Sequence, residues 1–175
     1  MNKSMLIKTD RLQITPFSEK FLSLRYVGWL NDPEVVRYSE QRHHTHSLEL
    51  CREYWKSFIG SPNYFWAVVK TGEQAEHIGN INAYVDKNNS VADIGILIGE
   101  KSVWGQGYGL EAWVAVCNYL LTDVKTRKIT AGALSTNTRM LSLMNHAGMA
   151  EECRRIRHAL FEGQYVDIVH YALFK

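Results

Sequence analysis

Apolar positions along the chain repeat in two rhythms. Leu110, Trp113, Val114, Cys117, Leu120, Leu121 and Val124 follow one another at helical spacing and predict a long amphipathic helix. A second such stripe, Leu48, Cys51, Trp55 and Phe58, starts behind Ser47 and Glu49 and should stop near Gly60, before Pro62. Between these helices lie three compact apolar runs, Tyr64–Lys70, His77–Val85 and Val91–Gly99, separated by the turn clusters "KTGEQAE" and "DKNNS". That order predicts an antiparallel meander.

The ends of the chain follow the same logic. Leu6 to Thr15 alternates imperfectly, reaches Pro16, and predicts one opening strand. Ser18 is placed to cap a first helix running to about Leu30, with Asp32 and Pro33 starting a short helical turn after it. Beyond the long helix, Lys128–Leu134 predicts a short strand and Asn137–Ala147 a helix ended by Gly148. Two long strands, Met149–Phe161 and Tyr165–Phe174, are joined by "EGQ". The expectation is an α+β fold in one domain spanning residues 1–175, with a mixed, mostly antiparallel sheet of about seven strands and about four helices.

Composition narrows the classes. The 175 residues carry a net charge of +2 with 22% charged residues, so no global field favours nucleic acid or a membrane surface. The opening "MNKSMLIKTDRL" lacks the apolar run of a signal peptide, and no later stretch approaches the roughly 18 apolar residues of a membrane span, which leads us to expect a cytoplasmic protein. Cys51, Cys117 and Cys153 lack metal or redox spacing and are expected to be reduced core thiols. Trp29, Trp55, Trp66 and Trp113 are expected in the core. Arg155 and Arg157 should share one face of their strand with Arg154 on the other, a solvated pattern unlike a nucleic-acid stripe.

The stretch "SVWGQGYGLEAW" stands apart. Glycines 105, 107 and 109 alternate with Gln106 and Tyr108 between a strand and the strongest helix. A strand–glycine–helix junction directs bare N–H groups and the positive end of a helix dipole at an anion. A P-loop would need Gly-Lys-Ser/Thr, but Gly109 is followed by Leu110 and Glu111; a dinucleotide fingerprint would need glycine at 110.

"WGQGYGLEA" (104–112) resembles the pyrophosphate-binding motif of GCN5-related N-acetyltransferases, Arg/Gln-x-x-Gly-x-Gly/Ala, and in particular the ribosomal-protein alanine acetyltransferase branch, in which Trp often fills the first position. "NTRMLSLMNHAGM" (137–149) resembles the second acetyl-CoA motif of the same family, and "LIKTDRLQITPF" its opening strand. The resemblance covers essentially the whole chain. It implies that acetyl-CoA is the co-substrate and that no metal takes part. Its diphosphate would lie on the backbone of Trp104, Gly105, Gln106, Gly107, Tyr108, Gly109 and Leu110, and Asn137 would contact the pantetheine arm. Strands four and five would splay, exposing the edge Ile94–Ile98, where N–H groups around Ile96 and Ile98 receive the pantetheine and the oxyanion. Dimers are common in the family, and no residue here decides the oligomeric state.

Acetyl transfer to an amine calls for a base. Asp93 in "VADIGILIG" matches the position where many family members place an acidic residue. The family's proton donors to the leaving thiolate fall on Met140 and Met144, which cannot donate. Ser142, Asn145, Tyr108, Tyr165 and Tyr171 remain as alternatives, as does departure without an acid. In "RYSEQRHHTHS", adjacent His43 and His44 cannot face one way and no Cys accompanies them, so the stretch is not expected to hold a metal. By the family pattern Tyr38, Glu40, Arg42 and His44 line the acceptor cleft, and "RYSEQRH" is similar to acetyltransferases of amino-sugar nucleotides. The expected reaction is direct acetylation of a primary amine on a small polar acceptor. A protein N-terminus is the alternative acceptor; a silent acyl-CoA-binding domain or an interaction module is the non-enzymatic one.

Overall fold

The computed structural model describes residues 6–72 and 75–175. The five N-terminal residues and two of the "KTGEQAE" turn lie outside the described residues. Eight strands form one sheet: β1 (Ile7–Lys8), β2 (Leu12–Pro16), β3 (Tyr64–Lys70), β4 (Glu76–Asp86), β5 (Val91–Ile98), β6 (Lys128–Leu134), β7 (Ala150–Phe161) and β8 (Gln164–Phe174). Their order across the sheet is β1-β2-β3-β4-β5-β6-β8-β7. The helices are α1 (Leu24–Leu30), α2 (Leu48–Lys56), α3 (Tyr108–Thr122) and α4 (Thr138–His146).

The eighth strand comes from the opening segment. The expected single strand Leu6–Thr15 reverses at Asp10–Arg11, where Leu12 N donates to Thr9 Oγ1 (3.0 Å) and Thr9 N to Leu12 O (3.0 Å). Local side-chain bonding thus turns an alternating run into a hairpin that pairs Ile7 with Ile14. The expected helix from Ser18 to Leu30 also divides. Ser18 precedes a short 3₁₀ turn, Glu19–Phe21, and Ser23 caps α1 by accepting from Tyr26 N at 3.2 Å. Two serines compete as caps, and the second wins the longer helix.

Alternation along β3 builds both cores. Tyr64, Trp66 and Val68 point to one face and join Trp113, Val116 and Leu120 of α3 with Met144 of α4. Phe65, Ala67 and Val69 point to the other and join Tyr26, Trp29 and Leu30 of α1 with Cys51 and Phe58. A continuous apolar run is what a strand covered on both faces requires.

Cys153, expected in the core, is exposed on the outer strand β7, whereas Cys51 and Cys117 are buried. The expected alternation of the β7 arginines fails as well. The β7–β8 register shifts between Arg155 and Ala159, and Arg157 adopts φ 48°, so a bulge breaks the period of two. Glu162 and Gly163, both at positive φ (50° and 78°), form the expected tight connection to β8.

The feature that positions the site is the meeting of β5 and β6. They run parallel and pair at only three positions, Val91↔Lys128, Ala92↔Ile129 and Asp93↔Thr130. On its other edge β5 stays paired with β4 as far as Gly79↔Ile98. From Ile94 onward the sheet is split along one edge of β5, as expected.

Candidate active site

One end of the split is the glycine loop. Gly105 and Gly107 take φ of 76° and 83°, a region that strains any residue with a side chain. Gly107 is also the N-cap of α3 and caps it without a side chain, so no cap covers the first-turn N–H groups of Tyr108, Gly109 and Leu110. The fit to a diphosphate rests on that bare first turn and on the loop's lack of Cβ atoms. Trp104 anchors the loop by donating from Nε1 to Ile98 O at 2.9 Å.

Cations gather beside it. Arg11, from the β1–β2 turn, donates to Gln106 O (2.9 Å) and to Glu111 Oε2 (2.7 Å) and lies 4.3 Å over the Tyr108 ring. Arg139 of α4 lies 5.8 Å over the Trp104 ring. Arg11 escaped the sequence reading because nothing local ties it to a loop some 95 residues away. Asn137 caps α4, accepting from Met140 N at 3.2 Å.

Asp93 stands at the apex of the split, in the last pair that β5 makes with β6. Its Oδ2 accepts from Thr130 Oγ1 at 2.7 Å. Desolvation raises its pKa, against the opposing effects of Thr130 and of nearby His170. Met144, at the expected donor position on α4, is fully buried in the core, and Met140 packs partly buried against it.

Ala92 and Ile94 are core residues under α3, so alternation places Asp93, Gly95 and Leu97 on the opposite face. There, Gly95–Leu97 form one wall of a cavity of about 460 Å³. Tyr26, Cys51, Tyr54, Asn80 and Asn82 also line it, with Gln41, His44 and His46 from the long connection before α2. Among its lining residues none is acidic. Tyr54 OH is 3.0 Å from Tyr84 OH, and Tyr84 pairs with Asp93 across the β4–β5 ladder.

A second groove, about 610 Å³, opens alongside and shares Leu30, Gln41, His44 and Thr45 with the cavity. It carries Arg37, Arg42 and His43, with Glu162 paired to Arg37 at 2.9 Å. Of the expected acceptor residues, His44 faces both spaces and Arg42 the groove. Tyr38 instead stacks on Phe161 at 5.3 Å, and Glu40 pairs with Arg42 at 3.0 Å; neither is among the residues lining these two spaces. Asn80 and Asn82 had a sequence signal that went unread: two amides at a spacing of two within the apolar run "HIGNINAYV" mark a polar patch on one strand face.

The protein-family model described as "Acetyltransferase (GNAT) domain" matches residues 11–150. An N-acetyltransferase 9-like protein of Nematostella vectensis is 24% identical over 160 residues, covering 86% of this chain and 80% of that protein. The fold is shared with the spermidine N-acetyltransferase of Vibrio cholerae solved with CoA and spermine, at a TM-score of 0.84 and 17% identity over 95% of this chain and 96% of that one. It is shared equally with RimL, a ribosomal L7/L12 alpha-N-protein acetyltransferase solved with coenzyme A, at a TM-score of 0.84 and 17% identity over 97% and 98% of the two chains.

Proposed function

The chain belongs to the GNAT acetyltransferase family, and on that premise we propose that it moves an acetyl group from acetyl-CoA directly to the primary amine of a small polar acceptor, such as an amino-sugar nucleotide. The observation that carries this reading is the split edge of β5, which runs from the glycine loop to Asp93 along one wall of the acceptor cavity.

The bare first turn of α3 receives the diphosphate, with Arg11 and Arg139 as neighbouring cations. In an antiparallel ladder, residues alternate between bonding the partner strand and pointing their N–H and C=O outward. Alternate N–H and C=O groups of Ile94–Ile98 therefore face the split, which supports an N–H around Ile96–Ile98 as the oxyanion donor. Asp93, held by Thr130, takes a proton from the acceptor's ammonium, directly or through water, and the neutral amine so formed attacks the thioester. With methionines at the usual donor positions, the thiolate leaves without a dedicated acid, which a thiolate's modest basicity permits.

Acceptor chemistry follows from charge. The cavity offers no carboxylate to hold a polyamine, while the groove beside it carries the guanidinium groups of Arg37, paired with Glu162, and Arg42, paired with Glu40, which an acceptor with an anionic group away from its amine can engage. A protein N-terminus is the second reading, favoured by the groove's continuity with the cavity, which gives an extended chain somewhere to lie. Thiol release from acetyl-CoA with glucosamine, a UDP-amino sugar, a peptide amine and spermidine tests both. The expected order places the UDP-amino sugar first and spermidine last. Fastest turnover of spermidine would overturn the acceptor assignment, and no thiol release with any amine would overturn the reaction.

A further inference from the structure

Asn80 is 4% exposed, and its Nδ2 has no hydrogen-bond partner among the described residues. It lines the acceptor cavity. A buried amide donor left without an acceptor is destabilising, so its orientation needs a cause.

The cause lies three residues back along β4, at His77. His77 Nε2 is 3.0 Å from Gly79 O and 3.0 Å from Asn80 Oδ1. A backbone carbonyl only accepts, so Nε2 must carry the hydrogen, and the Asn80 atom facing it must be the oxygen. Were the amide reversed, two donors would meet. The neutral imidazole is itself enforced: Phe17, Phe21, Tyr26 and Trp29 surround it with ring centroids 4.9–6.2 Å away, and burial pushes its pKa down to about 4.

Residues three apart on a regular strand face opposite sides, so His77 and Asn80 should not meet. A bulge at Ile78, between the pairs Val69↔His77 and Val68↔Gly79, brings them to one face. The backbone is irregular where the amide has to be aimed.

We infer that Asn80 is a specificity-determining residue of the acceptor site: its Nδ2, aimed by His77 and the bulge, donates to an oxygen that the acceptor carries close to its amine, a hydroxyl or carbonyl. The inference rests on the proposed acetyl transfer and names the acceptor as a hydroxy- or carbonyl-substituted amine, such as a vicinal amino alcohol. His77 acts through Asn80 as a positioning residue.

The test compares kcat/KM for matched amines, glucosamine against cyclohexylamine and glycinamide against isobutylamine, in the wild type, Asn80→Ala, Asn80→Asp and His77→Phe. Differences in amine basicity cancel when each ratio is compared between proteins. The oxygen-bearing member should be preferred in the wild type, and that preference should fall about tenfold in both Asn80 variants and in His77→Phe, with acetyl-CoA affinity retained. An unchanged ratio in the Asn80 variants overturns the inference while leaving acetyl transfer intact. If no amine turns over, acetyl transfer itself has failed, and a second readout still decides the role of Asn80. In two-dimensional ¹H–¹⁵N spectra of the CoA-saturated protein, glucosamine should shift the Asn80 side-chain amide pair and cyclohexylamine should not. No shift up to saturating glucosamine overturns the assignment.

Discussion

At the scale of single residues, environment converts ordinary side chains into chemical parts. Asp93 ends the β5–β6 pairing and has its pKa raised by desolvation, which makes it a stronger base than an exposed carboxylate. As the proposed base it acts only when ionised, so turnover should fall as pH drops through that raised pKa. Asp93→Asn is expected to lower kcat about 100-fold and remove this acid limb, with acetyl-CoA affinity unchanged. Wild-type kcat in that variant would remove Asp93 from the mechanism. His77 makes a separate prediction about stability. Its pKa near 4 in the fold lies below its ordinary 6.5, so the unfolded chain takes up the proton first as pH falls. The full contribution is present above about pH 6.5 and declines towards pH 4, by about 3 kcal/mol in total. Denaturant unfolding across this window should show the decline in the wild type and a flatter profile in His77→Gln. Glu100, held down to about 2 by Arg25 and Ser102, loses its own contribution only below its ordinary 4.5, which separates the two windows.

At the scale of elements, periodicity was most legible where one residue pattern had one structural solution. The α3 stripe, the continuous apolar run of β3 and the Asn137 cap before α4 all read directly, because burial on a helix face, burial on both strand faces and capping each leave a local signature. Local pattern misled where side chains bonded the backbone. Thr9 closed the β1–β2 hairpin inside an apparently single strand, and Ser23 took the α1 cap from Ser18. The glycine loop was legible as an anion cradle, whereas Arg11 and the His77–Asn80 pair depend on tertiary contact and a bulge, which no local periodicity encodes. The loop itself is testable. A β-branched residue at Gly107 meets a positive φ and an Arg11 Nη2 only 3.4 Å from its Cβ. Gly107→Val should weaken acetyl-CoA binding at least tenfold, from strain of about 1–3 kcal/mol and a blocked approach to the first turn of α3. Gly148→Val supplies the control, because Gly148 has φ +79° with open space around its Cβ and lies at the far end of α4. Equal losses in the two variants would assign the effect to backbone strain alone.

At the scale of the whole molecule, the sheet is covered on both faces near β3, split at its centre between β5 and β6, and left open towards β7. In the proposed reaction that arrangement gives donor and acceptor separate approaches to one strand edge: the glycine loop lies at one end of β5, and the carboxylate-free cavity lies across the opposite face from α3. The family match covers residues 11–150, and on the proposed reading Asn80, His44 and Arg42 are the residues through which this chain selects its acceptor. The bare first turn of α3 is the proposed acetyl-CoA site, on which both approaches depend. Calorimetric titration of acetyl-CoA into the purified protein, with CoA as competitor and NAD as control, tests it without knowledge of the acceptor. One acetyl-CoA site per chain, competition by CoA, and no saturable heat with NAD are expected. A folded protein that gives no saturable heat with acetyl-CoA or CoA would contradict it.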